Sequence, residues 1–201
     1  MNGYFSRTVM AILLLTLTTK KIQAQSFKFL IPDEAIMQFA GSIGYISGGI
    51  GYELFKNDRG SLDFLYGFVP GSKGGVLNIA TIKFSYKPWM IKINDWAMIY
   101  PANPGIFLTY TFQEELSYRF STDQYPKGYY FWSEALRPHL SISSEVKLNA
   151  QKLLKGSAVK AITLYSELNT NDYYLINYFQ SMSALNPSDI FALGLGLRLK
   201  F

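Results

Sequence analysis

The 201-residue chain contains no cysteine. That excludes disulfides, thiolate metal sites and a lipid-modified N-terminal cysteine, and it suits a protein that crosses an oxidising compartment without mispairing. There is one histidine, so any histidine-dependent mechanism must run through His139. No apolar run reaches about 18 residues, which excludes helical membrane spans. No paired-carboxylate, metal-ligand or nucleotide constellation is visible, and the reading expects no metal and no cofactor. A basic surface is also missing. The formal charge of +5 includes Arg7, Lys20 and Lys21; without those residues it falls to +2, which leaves no patch arguing for nucleic acid.

Those three cations mark a targeting segment. Arg7 supplies a positive n-region, Thr8 to Thr19 an apolar h-region of roughly a dozen residues, and Ile22-Gln-Ala-Gln25 leads to a polar start. A bilayer span needs about 20 residues, so residues 1–25 read as a signal peptide cut near Ala24 or Gln25, with a retained anchor as the alternative. Residues 26–201 then form one domain with no repeat of fixed period. Fifteen tyrosines and fifteen phenylalanines stand against three tryptophans.

The clearest pattern is Phe191–Phe201. Phe191, Leu193, Leu195, Leu197, Leu199 and Phe201 alternate with Ala192, Gly194, Gly196, Arg198 and Lys200, a period of 2 with one apolar and one polar or tiny face. The same alternation predicts seven more strands: Ile43–Phe55, Ser61–Val69, Leu77–Lys87, Gly105–Thr111, Leu136–Leu148, Lys160–Leu168 and Tyr173–Gln180. Asn57-Asp-Arg-Gly60, Pro70–Gly75 and Asn169-Thr-Asn-Asp172 read as turns. Residues before Ile43 read as a lead-in, and Pro88–Pro104 and Glu114–Glu134 as connections.

The fold class predicted is all-β: a transmembrane antiparallel up-and-down β-barrel of eight strands. A soluble ligand-carrying barrel shows the same alternation with its apolar face inward. The second face separates them. It mixes Gly49, Gly51, Gly67, Gly194 and Gly196 with charges of both signs: Glu53, Asp63, Lys83, Arg137, Glu145, Lys147, Glu167, Arg198 and Lys200. Small residues relieve crowding inside a narrow barrel, and opposite charges there can pair as buried charges must. This face is therefore assigned to the lumen. Trp89, Tyr110, Phe112 and Phe201 fit membrane-interface girdles. One consequence jars: with a periplasmic N-terminus, this threading puts Glu114–Glu134 on the side where such barrels keep turns short.

Gln23-Ala-Gln25, the glycine-rich alternating strands and Leu197-Arg-Leu-Lys-Phe201 resemble small outer-membrane β-barrel proteins of Gram-negative bacteria, the Ala-Gln ending being of the kind common in Bacteroidetes. The resemblance implies residence in the cell outer membrane, contact with its lipid, and insertion by the barrel-assembly machinery, which recognises a terminal strand ending in an aromatic such as Phe201. It implies no activity.

His139-Leu-Ser141, with Glu145 beyond, is similar to the His-x-Ser of outer-membrane lipid A 3-O-deacylases, where a histidine activates a serine. Ile142-Ser143 replace the family's Asn-Ala, and Leu153 stands where its acid lies. His139, Ser141 and Glu145 also fall on the lumen face, whereas the deacylases work on the outer wall. Gly48-Gly49-Ile-Gly51 lies within a strand and reads as barrel packing rather than a phosphate cradle. The aromatic stretch Asp123–Trp132 reads as a headgroup anchor or a binding surface. The expected function is a non-catalytic structural or interaction barrel. A narrow channel and a lipid A or phospholipid hydrolase using His139 and Ser141 are the alternatives.

Overall fold

The computed structural model describes residues 30–73, 75–113, 135–153, 156, 158–180 and 186–201. Among the described residues, the unit Asp33–Phe201 holds nine strands: β1 (Glu34–Ala40), β2 (Ile46–Leu54), β3 (Gly60–Val69), β4 (Leu77–Tyr86), β5 (Ile91–Lys92), β6 (Ala97–Phe112), β7 (Leu136–Asn149), β8 (Ala161–Asn171) and β9 (Ala192–Lys200). Every pairing is antiparallel, β9 pairs with both β1 and β8, and β4 pairs with β6. The sheet therefore closes into an eight-stranded up-and-down barrel. The two-residue β5 is an extra pairing on the end of β6. Closure leaves no barrel strand with an unpaired edge.

Two strands differ from the sequence expectation. Residues read as a lead-in form β1, in which Glu34, Ile36 and Gln38 are buried while Met37 and Phe39 are exposed. An apolar Ile36 on the inward face hides the alternation. Conversely, Tyr173–Gln180 is not a strand. It belongs to a helix, Asp172–Gln180, entered directly from β8. The Asn169–Asp172 stretch read as a turn is the end of β8 and the helix start, where the Asn171 side chain accepts the Tyr174 N–H at 2.8 Å. That is an N-cap bond, which satisfies one of the amides a helix start leaves unpaired.

The exchange removes the difficulty over loop lengths. The connections at 41–45, 70–76, 113–135 and 172–191 now share one end of the barrel. Those at 55–59, 87–96 and 150–160 share the other, where β1 begins and β9 finishes. The two longest connections therefore lie opposite the ends of the barrel chain. Residues 114–134, including Asp123–Trp132, lie outside the described residues.

A further difference is in β6, which starts at Ala97 rather than Gly105. Tyr100 faces Glu145 and Asn103 faces Ser143, so β6 advances one residue more than β7. This β-bulge sits at Pro101, which has no N–H for a ladder. It shifts the side-chain parity, leaving Tyr100 inward before it and Asn103, Phe107 and Thr109 inward after it. A strict period of 2 fails across such an insertion.

The barrel is inside-out relative to a water-soluble one. Leu193 and Leu195 are 55% and 54% exposed, and Ile50, Phe64, Ile82, Ile106, Leu140 and Leu164 are exposed with them. Asp63, Lys83, Glu145, Glu167 and Arg198 are buried. Large inward side chains stand opposite glycines in the register. Gly196 lies between Gln38 and Tyr165, and a Cβ there would overlap the Tyr165 ring. Across the upper lumen, the 41–45 turn folds inward. Ile43 is fully buried against Ile36, Leu65, Phe107 and Tyr165, and its carbonyl occupies the space a Cβ on Gly67 would need.

Replacing Gly196 by Val is expected to cost about 1–3 kcal/mol through overpacking against Tyr165. Pairing it with Tyr165→Leu should return part of that loss. Urea titration of detergent-solubilised protein reads the effect; a Gly196→Val protein as stable as wild type would refute this packing.

Candidate functional site

Among the described residues, the polar lumen is where ionisable groups concentrate away from solvent. Arg198 is its hub. From β9 it reaches across to Asp63 on β3 through two parallel bonds, Nη1 to Oδ1 at 2.8 Å and Nη2 to Oδ2 at 2.7 Å. Nη1 also donates to Glu34 at 3.3 Å, and Nε lies 3.9 Å from Glu145. Glu145 in turn pairs with Lys87 at 2.7 Å. The fork geometry of a guanidinium matches a carboxylate bidentately, which a lysine at this position does not reproduce.

A second group packs against the first. Lys83 pairs with Glu167 at 3.1 Å and donates to Gln38. The Tyr165 hydroxyl donates to the same Gln38 oxygen at 2.8 Å. Two cations lie over the Tyr165 ring, the Arg198 guanidinium 5.0 Å and the Lys83 ammonium 5.4 Å from its centroid. A desolvated cation over an aromatic face contributes on the order of 2 kcal/mol.

A third group closes the end where the chain enters and leaves the barrel. Lys147 pairs with Glu53 at 3.1 Å and Asp58 at 2.8 Å, and Lys200 with Asp58 at 3.2 Å and with Glu53. Asp58 comes from the β2–β3 turn, where Phe55, Asn57 and Asp58 all have positive φ. Left-handed backbone at non-glycine residues costs on the order of 1–3 kcal/mol each, and here it brings a carboxylate over the lumen mouth. Burial alone would raise the Asp58 pKa, but its hydrogen bonds to Glu53, Lys147 and Lys200 and the Lys147 charge together hold it well below the ordinary carboxylate range.

The structure places the expected lumen residues as follows. Glu53, Asp63, Lys83, Glu145, Lys147, Glu167, Arg198 and Lys200 are joined in the three groups above. Arg137 stands apart at the opposite end of the barrel, paired with Asp172 at 3.4 Å. Glu34, Gln38, Asp58, Lys87 and Tyr165 also belong to the network, and the Lys87 ammonium lies 5.2 Å from the Tyr100 ring centroid. Glu34 and Gln38 were hidden in β1, Asp58 in a turn and Lys87 at a strand end. A tyrosine on a polar face carries no sequence signal that it will stack on a cation.

His139, Ser141 and Glu145 do not assemble. The His139 Nε2 lies 3.0 Å from the Thr109 hydroxyl, and its ring stacks on Phe107 with centroids 4.3 Å apart and planes 8° from parallel. Ser141 points to Gly105, where a Cβ would come within 2.7 Å of its Oγ. Glu145 is held by Lys87 and Arg198. A serine nucleophile needs the histidine within about 2.6–3.2 Å, and here that partner of His139 is Thr109. Gly49 packs against the β3 backbone, whose Phe64 carbonyl a Cβ would strike. Among the described residues no group of three or more His, Asp or Glu side chains is disposed to hold a metal ion. Of the aromatics expected at interfaces, Trp89 and Phe201 are exposed at the end where the chain enters and leaves. Phe112 is exposed at the other end with Tyr110 half-buried beside it.

Arg198→Met is expected to destabilise the barrel by about 3–5 kcal/mol, because it strands Asp63 and Glu34 in the lumen. Arg198→Met combined with Asp63→Leu should recover much of that. A single variant within about 1 kcal/mol of wild type in urea titration would contradict the hub role. Asp58→Asn is expected to cost up to about 1 kcal/mol at neutral pH. A depressed carboxylate pKa contributes stability that is present above the unfolded value and lost as pH falls through the folded one. The gap between Asp58→Asn and wild type should therefore close only in strong acid; a gap that is constant with pH would contradict the assignment.

No protein-family model matches the chain, and no curated protein matches it. Among solved structures it is similar to the N-terminal β-barrel domain of Pseudomonas aeruginosa OprF, with 12% identity, a TM-score of 0.40, and coverage of 85% of this chain and 98% of that one. Acinetobacter baumannii CarO follows at 11% identity and a TM-score of 0.39, covering 87% and 100%. The NanC porin follows at 7% and 0.24, covering 84% and 99%.

Proposed function

We propose that the protein is an integral outer-membrane β-barrel with a sealed lumen, serving a non-catalytic structural or interaction role through its connections. The observation that carries this reading is the inversion of polarity: the apolar wall faces outward on every barrel strand, while Arg198, Asp63, Lys83 and Glu167 are buried within. In water such a wall would be a large exposed apolar patch, the mark of an interaction or membrane surface. Against hydrocarbon it is the solvent-matched face, and closure satisfies the backbone as a membrane demands. Exposed aromatics at both ends, Trp89 and Phe55 at one and Tyr66, Phe68 and Phe112 at the other, fit interfacial belts.

The orientation that puts both chain ends of the barrel in the periplasm makes the 113–135 and 172–191 connections extracellular, as long loops in such barrels are. Insertion by the barrel-assembly machinery, acting on β9 with Phe201, belongs to the same reading. The packed lumen supports a non-conducting barrel over a narrow channel: Ile43, the Arg198 group and the Lys147–Lys200 group succeed one another along its length. His139 bonded to Thr109 supports a barrel over a hydrolase.

Purified full-length protein is expected to require detergent and to give no ion steps in planar bilayers. Regular conductance steps would return the role to a channel, and partition into a detergent-free aqueous phase would overturn the membrane reading. Leu195→Arg on the outward wall should cost about 2–4 kcal/mol of stability in lipid vesicles. A cost near zero there would count against a lipid-facing Leu195.

A further inference from the structure

We propose that the outer wall carries a dedicated groove for one acyl chain of a membrane lipid, closed by the Asp172–Gln180 helix; this rests on the membrane reading above. The groove has a volume of about 520 Å³ and is lined by Leu62, Phe84, Ile106, Leu108 and Leu140 of the wall, with Leu175 of the helix. That volume lies within the ~300–1,000 Å³ of small-ligand sites. Strand register builds it. Leu62 faces Phe84, Phe84 faces Ile106, and Ile106 faces Leu140, so four strands place one apolar row side by side. Leu108, between Ile82 and Pro138, begins a second row.

Asp172 and His139 are the polar side chains of its lining. Asp172 is held by Arg137 at 3.4 Å, whose guanidinium lies 5.7 Å from the Tyr173 ring centroid. An apolar trough bordered by an ion pair is complementary to an amphiphile: the chain lies along the wall and the polar head meets Asp172 and the Arg137 that holds it. The helix points the same way. None of its residues is buried, and Tyr173, Tyr174, Ile176 and Phe179 are exposed. Aromatic side chains with apolar bodies and polar tips settle at the headgroup level. The helix starts at the end of the barrel carrying the long connections, the outer-leaflet end in the proposed orientation. With His139 bonded to Thr109 rather than Ser141, the groove binds and does not cleave.

Native mass spectrometry of the full chain released from membranes in mild detergent tests this. Wild type is expected to retain one acyl-bearing lipid, and its mass distinguishes lipid A from a glycerophospholipid, either of which supplies the chain. Ile106→Trp, which fills the groove, and Leu175→Asn, which removes its apolar closure, should each lower occupancy at least tenfold. Leu164→Trp, outward on β8 and away from the groove, should retain the lipid as wild type does. Wild type without bound lipid, or wild-type occupancy in both groove variants, overturns the proposal. A protein that needs detergent yet holds no lipid defeats the groove alone, whereas one soluble without detergent defeats the membrane reading itself.

Discussion

The structure depends on the requirement that charges removed from water be paired. An eight-stranded barrel with its apolar face outward must place its other face in a lumen only wide enough for side chains, and here that face carries charge. Burying an unpaired carboxylate or guanidinium costs several kcal/mol. The bidentate Arg198–Asp63 bridge ties β9 to β3 across the lumen, and Glu34, Glu145 and Lys87 extend it to β1, β7 and the end of β4. Because each partner comes from a different strand, slipping one strand by a residue would send its charges to the apolar side. The network therefore specifies register as well as filling space.

Glycine makes the network possible. Arg198, Tyr165 and Gln38 cannot share one cross-section unless neighbouring positions give up their side chains, and Gly194 and Gly196 do so on β9 itself. The inward fold of the 41–45 turn relies on the same economy of volume at Gly67. The lumen is consequently graded: an apolar plug under Ile43, an aromatic–cation layer at Tyr165, the Arg198 hub, and an ionic gate of Lys147, Lys200, Glu53 and Asp58. Side-chain volume and charge arrive together, which is why the barrel core is polar and still packed.

The fold class was legible because alternation is a local property. Leu193, Leu195 and Leu197 against Gly194, Gly196 and Arg198 announce a two-faced strand whatever surrounds them. The same reasoning failed where locality failed. Ile36 faces inward between Glu34 and Gln38, so β1 shows no clean polar face. Tyr173, Tyr174, Ile176 and Phe179 have strand-like propensity, yet the Asn171 cap starts a helix there. The Pro101 bulge reverses parity inside β6. Each error exchanged a neighbour-level signal for a tertiary or capping interaction, and the missed β1 alone had placed a long connection at the wrong end of the barrel.

By itself, the amino-acid sequence determined that one face of these strands is apolar and the other small or charged, because a side-chain period of 2 follows from backbone geometry alone. It also singled out Arg198, Asp63, Lys83, Glu145 and Glu167 as residues sharing that second face. Only the tertiary structure decided which charge meets which, since Arg198 and Asp63 are 135 positions apart and come together through barrel closure. It likewise decided that His139 bonds Thr109 and not Ser141, and that four strands and a helix leave a groove on the outer wall. Those outcomes depend on stagger between distant strands, a quantity that no local pattern encodes.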